Sequence, residues 1–165
     1  SNKEALFIAV VMQSVAANIA RFEAHTPLGR TIEERLGSLA AAILHWILVS
    51  DAIGLLRVAI AESRRFPDLA SSVYRMVRER SAEAEGRLLA EAAHVDTLGT
   101  LPAFAPQGLT TTTRLFQDVV LSPLVLRALF GEKLEQLRAE IAPHVAGSVA
   151  FFLAACRQGG VNQDG

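Results

Sequence analysis

Between Ile43 and Tyr74 the chain reads ILHWILVSDAIGLLRVAIAESRRFPDLASSVY, and no other stretch restricts its folding so strongly. An almost wholly apolar segment carrying His45 and Trp46 runs into a second apolar segment, which ends in the charged, turn-bearing run Glu62-Ser63-Arg64-Arg65-Phe66-Pro67. Segments this apolar have to be covered, so the stretch builds either a core or the wall of a lined pocket. Hydrophobic residues make up 51% of the 165 and aromatics only 6%, so the apolar mass is aliphatic and Ala-rich, which suits packed helices. One domain of this length hides roughly two thirds of its unfolded surface. An apolar surplus beyond that belongs in a subunit interface or a ligand cavity.

Several function classes find little support. A formal net charge of -1 provides no basic face for nucleic-acid phosphates. The single Cys156 forms neither an internal disulfide nor a thiolate cage, so an intracellular, cytoplasmic setting is expected, with Cys156 as a small buried hydrophobe. His45, Asp51, Arg57 and Glu62 interrupt the richest apolar region, so no membrane span is expected, and Ser1-Asn2-Lys3-Glu4 does not open a signal peptide. Glu91-x-x-His94 has the spacing of a di-iron motif but lacks a second copy, since Glu140 and His144 stand at the wrong offset across Pro143. No metal and no cofactor are expected. Ser50, Asp51 and His45 come without a nucleophile elbow or a Gly-rich loop, so catalysis is not expected either.

Taken in order, the pattern is all-α. Ser1 and Glu4 form a capping box for a helix to about Ala24, with Leu6, Val10, Val11, Val15, Ile19 and Phe22 as one buried stripe. His25 to Arg30 is a loop by its Pro and Gly, and Thr31 and Glu34 form a second capping box. The helix that follows carries Ile32, Leu36, Leu39, Ile43 and Ile47 and turns apolar on all sides after Ala40, which places its second half mid-protein. Ser50 or Asp51 caps a helix to about Arg65, and Pro67 opens another that runs to about His94. On that helix Leu69, Val73, Met76, Val77, Ala84 and Leu88 face inward, while Arg75, Arg78, Glu79, Arg80, Glu83 and Glu85 face largely outward. Val95 to Gly108 is a long connection pinned by Leu101 and Phe104. Thr110 to Thr113 cap a helix through Val120, which restarts at Ser122-Pro123 and stops at Gly131. The last helix, from Glu132 to about Arg157, contains Pro143 and is expected to bend near Ala139; Gln158 to Gly165 is a frayed tail.

Three pieces of this order resemble the tetracycline-repressor (TetR) family of transcriptional regulators. Asn2-Lys3-Glu4-Ala5-Leu6-Phe7 looks like the segment that follows the family's DNA-binding head. Ala61 to Leu69 resembles the Glu-x-x-Arg-Phe-Pro-x-Leu junction of its bodies, and Arg114-Leu115-Phe116-Gln117-Asp118 through Gly131 resembles their penultimate, dimerising helix. The resemblance implies a bundle of about six helices, residues 1–157 as the effector-binding and dimerisation body of a bacterial repressor, and residues 1–24 as the connector to a helix-turn-helix head that this chain lacks. Operator DNA would be contacted only through that head. A small, mostly apolar effector would release the full-length protein from its operator.

Candidate positions follow from the helical reading. His45 is either a core histidine satisfied by a carbonyl or a polar group that orients a ligand, and Trp46 either core filler or a stacking ring. Val49, Arg57, Val73, Tyr74, Val77, Phe104, Phe116 and Gln117 complete a candidate ligand wall. Val120, Leu124, Phe130, Val145, Val149 and Phe152 are either intramolecular core or, as the family resemblance implies, the homodimer interface, formed as a two-fold four-helix bundle. A helical enzyme or small-molecule carrier using the same cavity without DNA, and a pure dimerisation module, are the alternatives.

Overall fold

The helix from Ile32 to Ile47 is the axis around which the others gather. A computed structural model describes residues 2–95 and 97–158, apart from the side chains of Glu4, Val15, Asn18, Phe22, Ser50, Leu69 and Val73. The Ser1/Glu4 capping box, the burial of Val15, Phe22, Leu69 and Val73, and the tail beyond Gln158 lie outside what is described. The elements are α1 (Asn2–Glu23), α2 (Ile32–Ile47), α3 (Ser50–Glu62), α4 (Pro67–Ala93), α5 (Pro106–Phe116), α6 (Ser122–Leu129) and α7 (Leu134–Arg157). Two 3₁₀ turns, Thr97–Thr100 and Pro102–Phe104, lie between α4 and α5, and a π-helical turn, Gln117–Leu121, joins α5 to α6 without a break. The described residues contain no strand, and the molecule is all-α.

Local chemistry explains most boundaries. At the start of α2 the Thr31 hydroxyl accepts from the Glu34 amide at 3.1 Å and the Glu34 carboxylate accepts from the Thr31 amide at 3.3 Å, completing the expected capping box. The Arg30 amide, at 2.6 Å from the carboxylate, and the Thr31 amide hold the Glu34 carboxyl below its usual range. Pro67 opens α4, where its missing N–H costs nothing, and Gly131 leaves α6 with φ 102°. Two caps differ from expectation. Val49, whose side chain offers no acceptor, is the N-cap of α3, so neither Ser50 nor Asp51 caps it. The connection after α4 ends early, because Ala105 caps α5 and Pro106 starts it. The threonines therefore lie inside the helix: Thr112 donates to the Ala103 carbonyl at 2.5 Å and Thr113 to the Leu109 carbonyl at 2.7 Å, so both are buried and satisfied. Helix α7 continues through Pro143.

The core is formed by one half of the molecule. Leu36, Leu39, Ala40, Ile43 and Leu44 of α2 are fully buried against Leu137, Ile141, Val145, Val149, Phe152 and Leu153 of α7, Ala84, Leu88, Leu89 and Ala92 of α4, and Phe116, Val120 and Leu124 of the α5–π–α6 rod. Burial of each such aliphatic side chain is worth about 1.5–3 kcal/mol. Phe116 and Phe152 meet edge to face at 5.4 Å between ring centroids. His144 of α7 donates from Nε2 to the Val120 carbonyl at 2.8 Å and so ties α7 to the π turn.

The other half is thinly covered. Among the described side chains, α1 buries only Val11, α3 only Ile53, and the first half of α4 none. The expected single stripe on α1 is not formed, since Leu6 and Val10 are exposed and Val11 packs with partly buried Phe7, Ile8, Ile19, Leu55 and Val77. The rear of α2 is not surrounded either. Two residues from both Ile43 and Ile47, about 200° around the helix, His45 is on the outer face and exposed.

One helix has the length and composition of a membrane span, a test that the core helix of a globular protein also passes. By length and composition, α7 is long and apolar enough to cross a membrane, because His144 and a single acidic residue, Glu140, are the only interruptions of its later part. Seven of its residues are buried against the rest of the chain.

The contrast between the faces of α2 can be measured by urea unfolding. Ile43→Ala is expected to cost about 2–5 kcal/mol, whereas His45→Ala, on the exposed face, is expected to change stability by less than about 0.5 kcal/mol.

Candidate functional site

Along the face of α4 that meets the π turn, polar residues follow one another from solvent into the core. Tyr74, Arg78 and Glu85 stand four and seven residues apart, so they share one side of the helix. At the outer end the Arg78 guanidinium forks onto Asp118, with Nη2 at 2.8 and 2.9 Å from the two carboxylate oxygens, and Nη1 donates to the Tyr74 hydroxyl at 3.1 Å. Asp118 is therefore the first group that holds Arg78 in its charged form.

At the inner end is Glu85, which is only 2% exposed although the sequence pattern puts it on the solvent side. It lies four residues before Leu89 and seven before Ala92, both buried, and that shared face is the signal by which a sequence reading would find it. Gln117, the first residue of the π turn and 8% exposed, brings its side-chain amide to the Glu85 carboxyl, whose charged form it favours. Glu85 Oε2 and Gln117 Oε1 remain without a hydrogen-bond partner. Burial pushes the Glu85 carboxyl up to about 7; the Gln117 bond and the Arg78 charge oppose the shift without cancelling it. A π turn adds a residue to the helical repeat and re-aims side chains, and here it directs Gln117 inward. Just beyond this pair α4 and α5 approach closely: a Cβ on Gly86 would come within 3.2 Å of Thr113 Oγ1.

The structure distributes the other candidate ligand residues rather than gathering them. Trp46 is half-buried and meets the His25 ring edge to face at 5.4 Å, while His25 Nε2 is buried without a hydrogen-bond partner. Val49 caps α3. Arg57 is held at the end of α6, where its Nη2 donates to the Ala128 carbonyl at 2.6 Å and its charge complements the helix dipole. Tyr74 is 61% exposed and Val77 belongs to the small Val11 cluster. Phe104 and Phe116 are main-core residues, and the side chain of Val73 is among those not described. Of the candidate wall, Gln117 alone takes part in the buried polar pair.

The interface candidates divide in the same way. Val120, Leu124, Val145, Val149 and Phe152 are covered by their own chain, because α2 occupies the side of α7 on which the valines and Phe152 lie. Phe130 is 85% exposed, and the sequence pattern overlooks its companions Leu115, Leu126 and Phe151. Two open grooves add surface. One of about 500 Å³ lies between α2 and α7, lined by Thr31, Gly37, Ala41, Ala142 and Ala146 among others; the second, of about 290 Å³, is between α4 and α5 beside Gly86 and Thr113. Glu91 and His94 are both exposed at the end of α4.

The Glu85 shift has a definite sign in stability. Its folded pKa lies above the ordinary value, so the folded protein binds more protons between about pH 4.5 and 7, and stability is lost as pH rises through that window. The full shift corresponds to something on the order of 3 kcal/mol. Melting curves between pH 5 and 8 are expected to show this decline, and Glu85→Gln to flatten it and raise the melting temperature at pH 8.

A family model for the C-terminal domain of AefR-like transcriptional repressors matches residues 34–158, from the first turn of α2 to the end of α7. No curated protein and no solved structure matches the chain. With three quarters of its length matched and an all-α architecture, the chain belongs to the TetR family of transcriptional regulators, in its AefR-like C-terminal type.

Proposed function

We propose that this chain is the effector-sensing and dimerisation body of a TetR-family repressor, acting in the bacterial cytoplasm on operator DNA through a separate helix-turn-helix head. The observation that carries the reading is uneven packing. A well-filled core of α2, α7, the α5–π–α6 rod and the second half of α4 adjoins a region of α1, α3 and the first half of α4 that is apolar yet buries little besides Val11 and Ile53 among its described side chains. A small, mostly apolar molecule that completed this region would favour whichever arrangement of α1, α3 and α4 it fits best. Because α1 rests chiefly on α4, a shift there would move α1, and through it the spacing of two attached heads. The domain binds its ligand in this reading and does not transform it.

Dimerisation is supported by the apolar surface that α5, α6 and α7 leave open. Leu115, Leu126, Phe130 and Phe151 are all exposed, and Ala146, Gly147, Ala150 and Ala154 beside Phe151 would let a partner helix approach closely. The interface so proposed uses the outer faces of the helices that the family resemblance points to, not the buried residues Val120, Leu124, Val145, Val149 and Phe152.

Two experiments test the reading. Analytical ultracentrifugation at micromolar concentration is expected to find a dimer and, for Phe151→Glu, a folded monomer; a monomeric unsubstituted protein would sink the interface. Thermal-shift screening with neutral lipophilic compounds is expected to yield stabilising ligands. Val77→Phe, which fills the thinly packed region, is expected to weaken them by at least about tenfold, or 1.4 kcal/mol, while keeping or raising the melting temperature. Failure of every compound to shift the unsubstituted protein would count against effector sensing.

A further inference from the structure

The two acceptor oxygens left unpaired in the core, Glu85 Oε2 and Gln117 Oε1, call for a donor. Both side chains are more than nine-tenths buried, at 2% and 8% exposure. An ionised carboxylate in such a place is costly unless paired with a cation and hydrogen-bonded. The cation that acts on Glu85, Arg78, is committed to both oxygens of Asp118 and to the Tyr74 hydroxyl. The Gln117 amide favours the carboxylate from one side, and the two acceptors Glu85 Oε2 and Gln117 Oε1 are left without a described donor. A single group that pairs with both needs at least two polar hydrogens, and where Glu85 is ionised a positive charge also offsets the buried carboxylate. An alcohol brings one hydrogen, and a carboxylate brings none and adds repulsion.

Position supplies the second half of the argument. Glu85 lies where α4 passes from its thinly packed first half into its buried second half: Ala84 is its first buried apolar residue among those described. Seven residues back along the same face is Arg78, roughly 10 Å away at the helical rise, and the small Val11–Leu55–Val77 cluster lies on the adjoining face. A molecule with a charged end at Glu85 and an aliphatic body a few carbons long would extend into the region that lacks packing. We infer that the effector is a small aliphatic amine, whose ammonium donates to Glu85 Oε2 and Gln117 Oε1 while its chain fills the space between α1, α3 and α4. This inference rests on the effector-sensing reading above and specifies the ligand class.

The probes are n-hexylammonium chloride, 1-hexanol and sodium hexanoate, with isothermal titration and melting temperature as readouts at pH 8, where Glu85 is ionised. The purified chain is expected to bind hexylammonium saturably and at least tenfold more tightly than 1-hexanol, with hexanoate weakest. Glu85→Gln is close to isosteric and removes a buried charge, so it stays folded; it is expected to lose at least tenfold in hexylammonium affinity while 1-hexanol binding is unchanged. Gln117→Leu is expected to lose part of the amine affinity with Glu85 still in place. Equal affinity for hexylammonium and 1-hexanol, or undiminished amine binding by Glu85→Gln, would overturn the amine assignment and leave effector sensing standing. Absence of binding by all three probes would overturn the amine assignment, and effector sensing would fall with it if the neutral lipophilic compounds also gave no shift.

Discussion

The burial of one face of α2 is the constraint on which the other helices depend. Leu36, Leu39, Ala40, Ile43 and Leu44 form a continuous solvent-free stripe, and α7, the later part of α4 and the π turn each close one side of it. The capping box at Thr31 and Glu34 sets the residue at which that stripe begins, and hence its rotation toward the partners. Around this tightly packed unit the remaining elements are attached by fewer and more polar ties: Arg57 to the end of α6, Arg78 to Asp118, and an exposed pair between Arg87 and Glu23 that joins α4 to α1. Exposed pairs of this last kind hold little energy.

This division of labour suits a sensor. A ligand can shift only an equilibrium between states whose energies are close, and a fully packed core has no such alternatives. Helix α4 belongs to both halves, so its second half is held in the core while its first half is free to respond. Glu85 and Gln117 are placed at the junction. A buried carboxyl with a single amide donor is poorly satisfied, and natural cores retain such groups at a cost in stability. Here the poorly satisfied group and the poorly filled region are neighbours along one helix, and one ligand would remedy both.

Much of the fold was legible in the residues. The second capping box, Pro67 at the first position of α4, the stop at Gly131 and the Ile32–Leu36–Leu39–Ile43 stripe are local or short-period signals, and each is present as the pattern implies. The resemblance to TetR-family bodies rested on such local pieces and agrees with the family match over residues 34–158. The site was far less legible. Gln117 falls within the candidate wall but Glu85 does not, because a Glu amid Glu and Arg neighbours on a long helix reads as a solvated face. His45 and Tyr74 are isolated polar side chains within apolar runs, yet both are exposed.

What the sequence determined by itself is therefore the set of helices, their ends and the central apolar stripe, since these follow from contacts among residues a few positions apart. Which apolar face meets its own chain and which is left open was decided only in three dimensions. Val145, Val149 and Phe152 are no more apolar than Phe151, but α2 covers the former and leaves the latter bare. Likewise Glu85 meets Gln117 at a separation of 32 positions (117 minus 85) along the chain, a pairing that depends on α4 crossing the π turn. Periodicity gives the direction of a side chain around its own helix; only the packing of one helix on another says what it finds there.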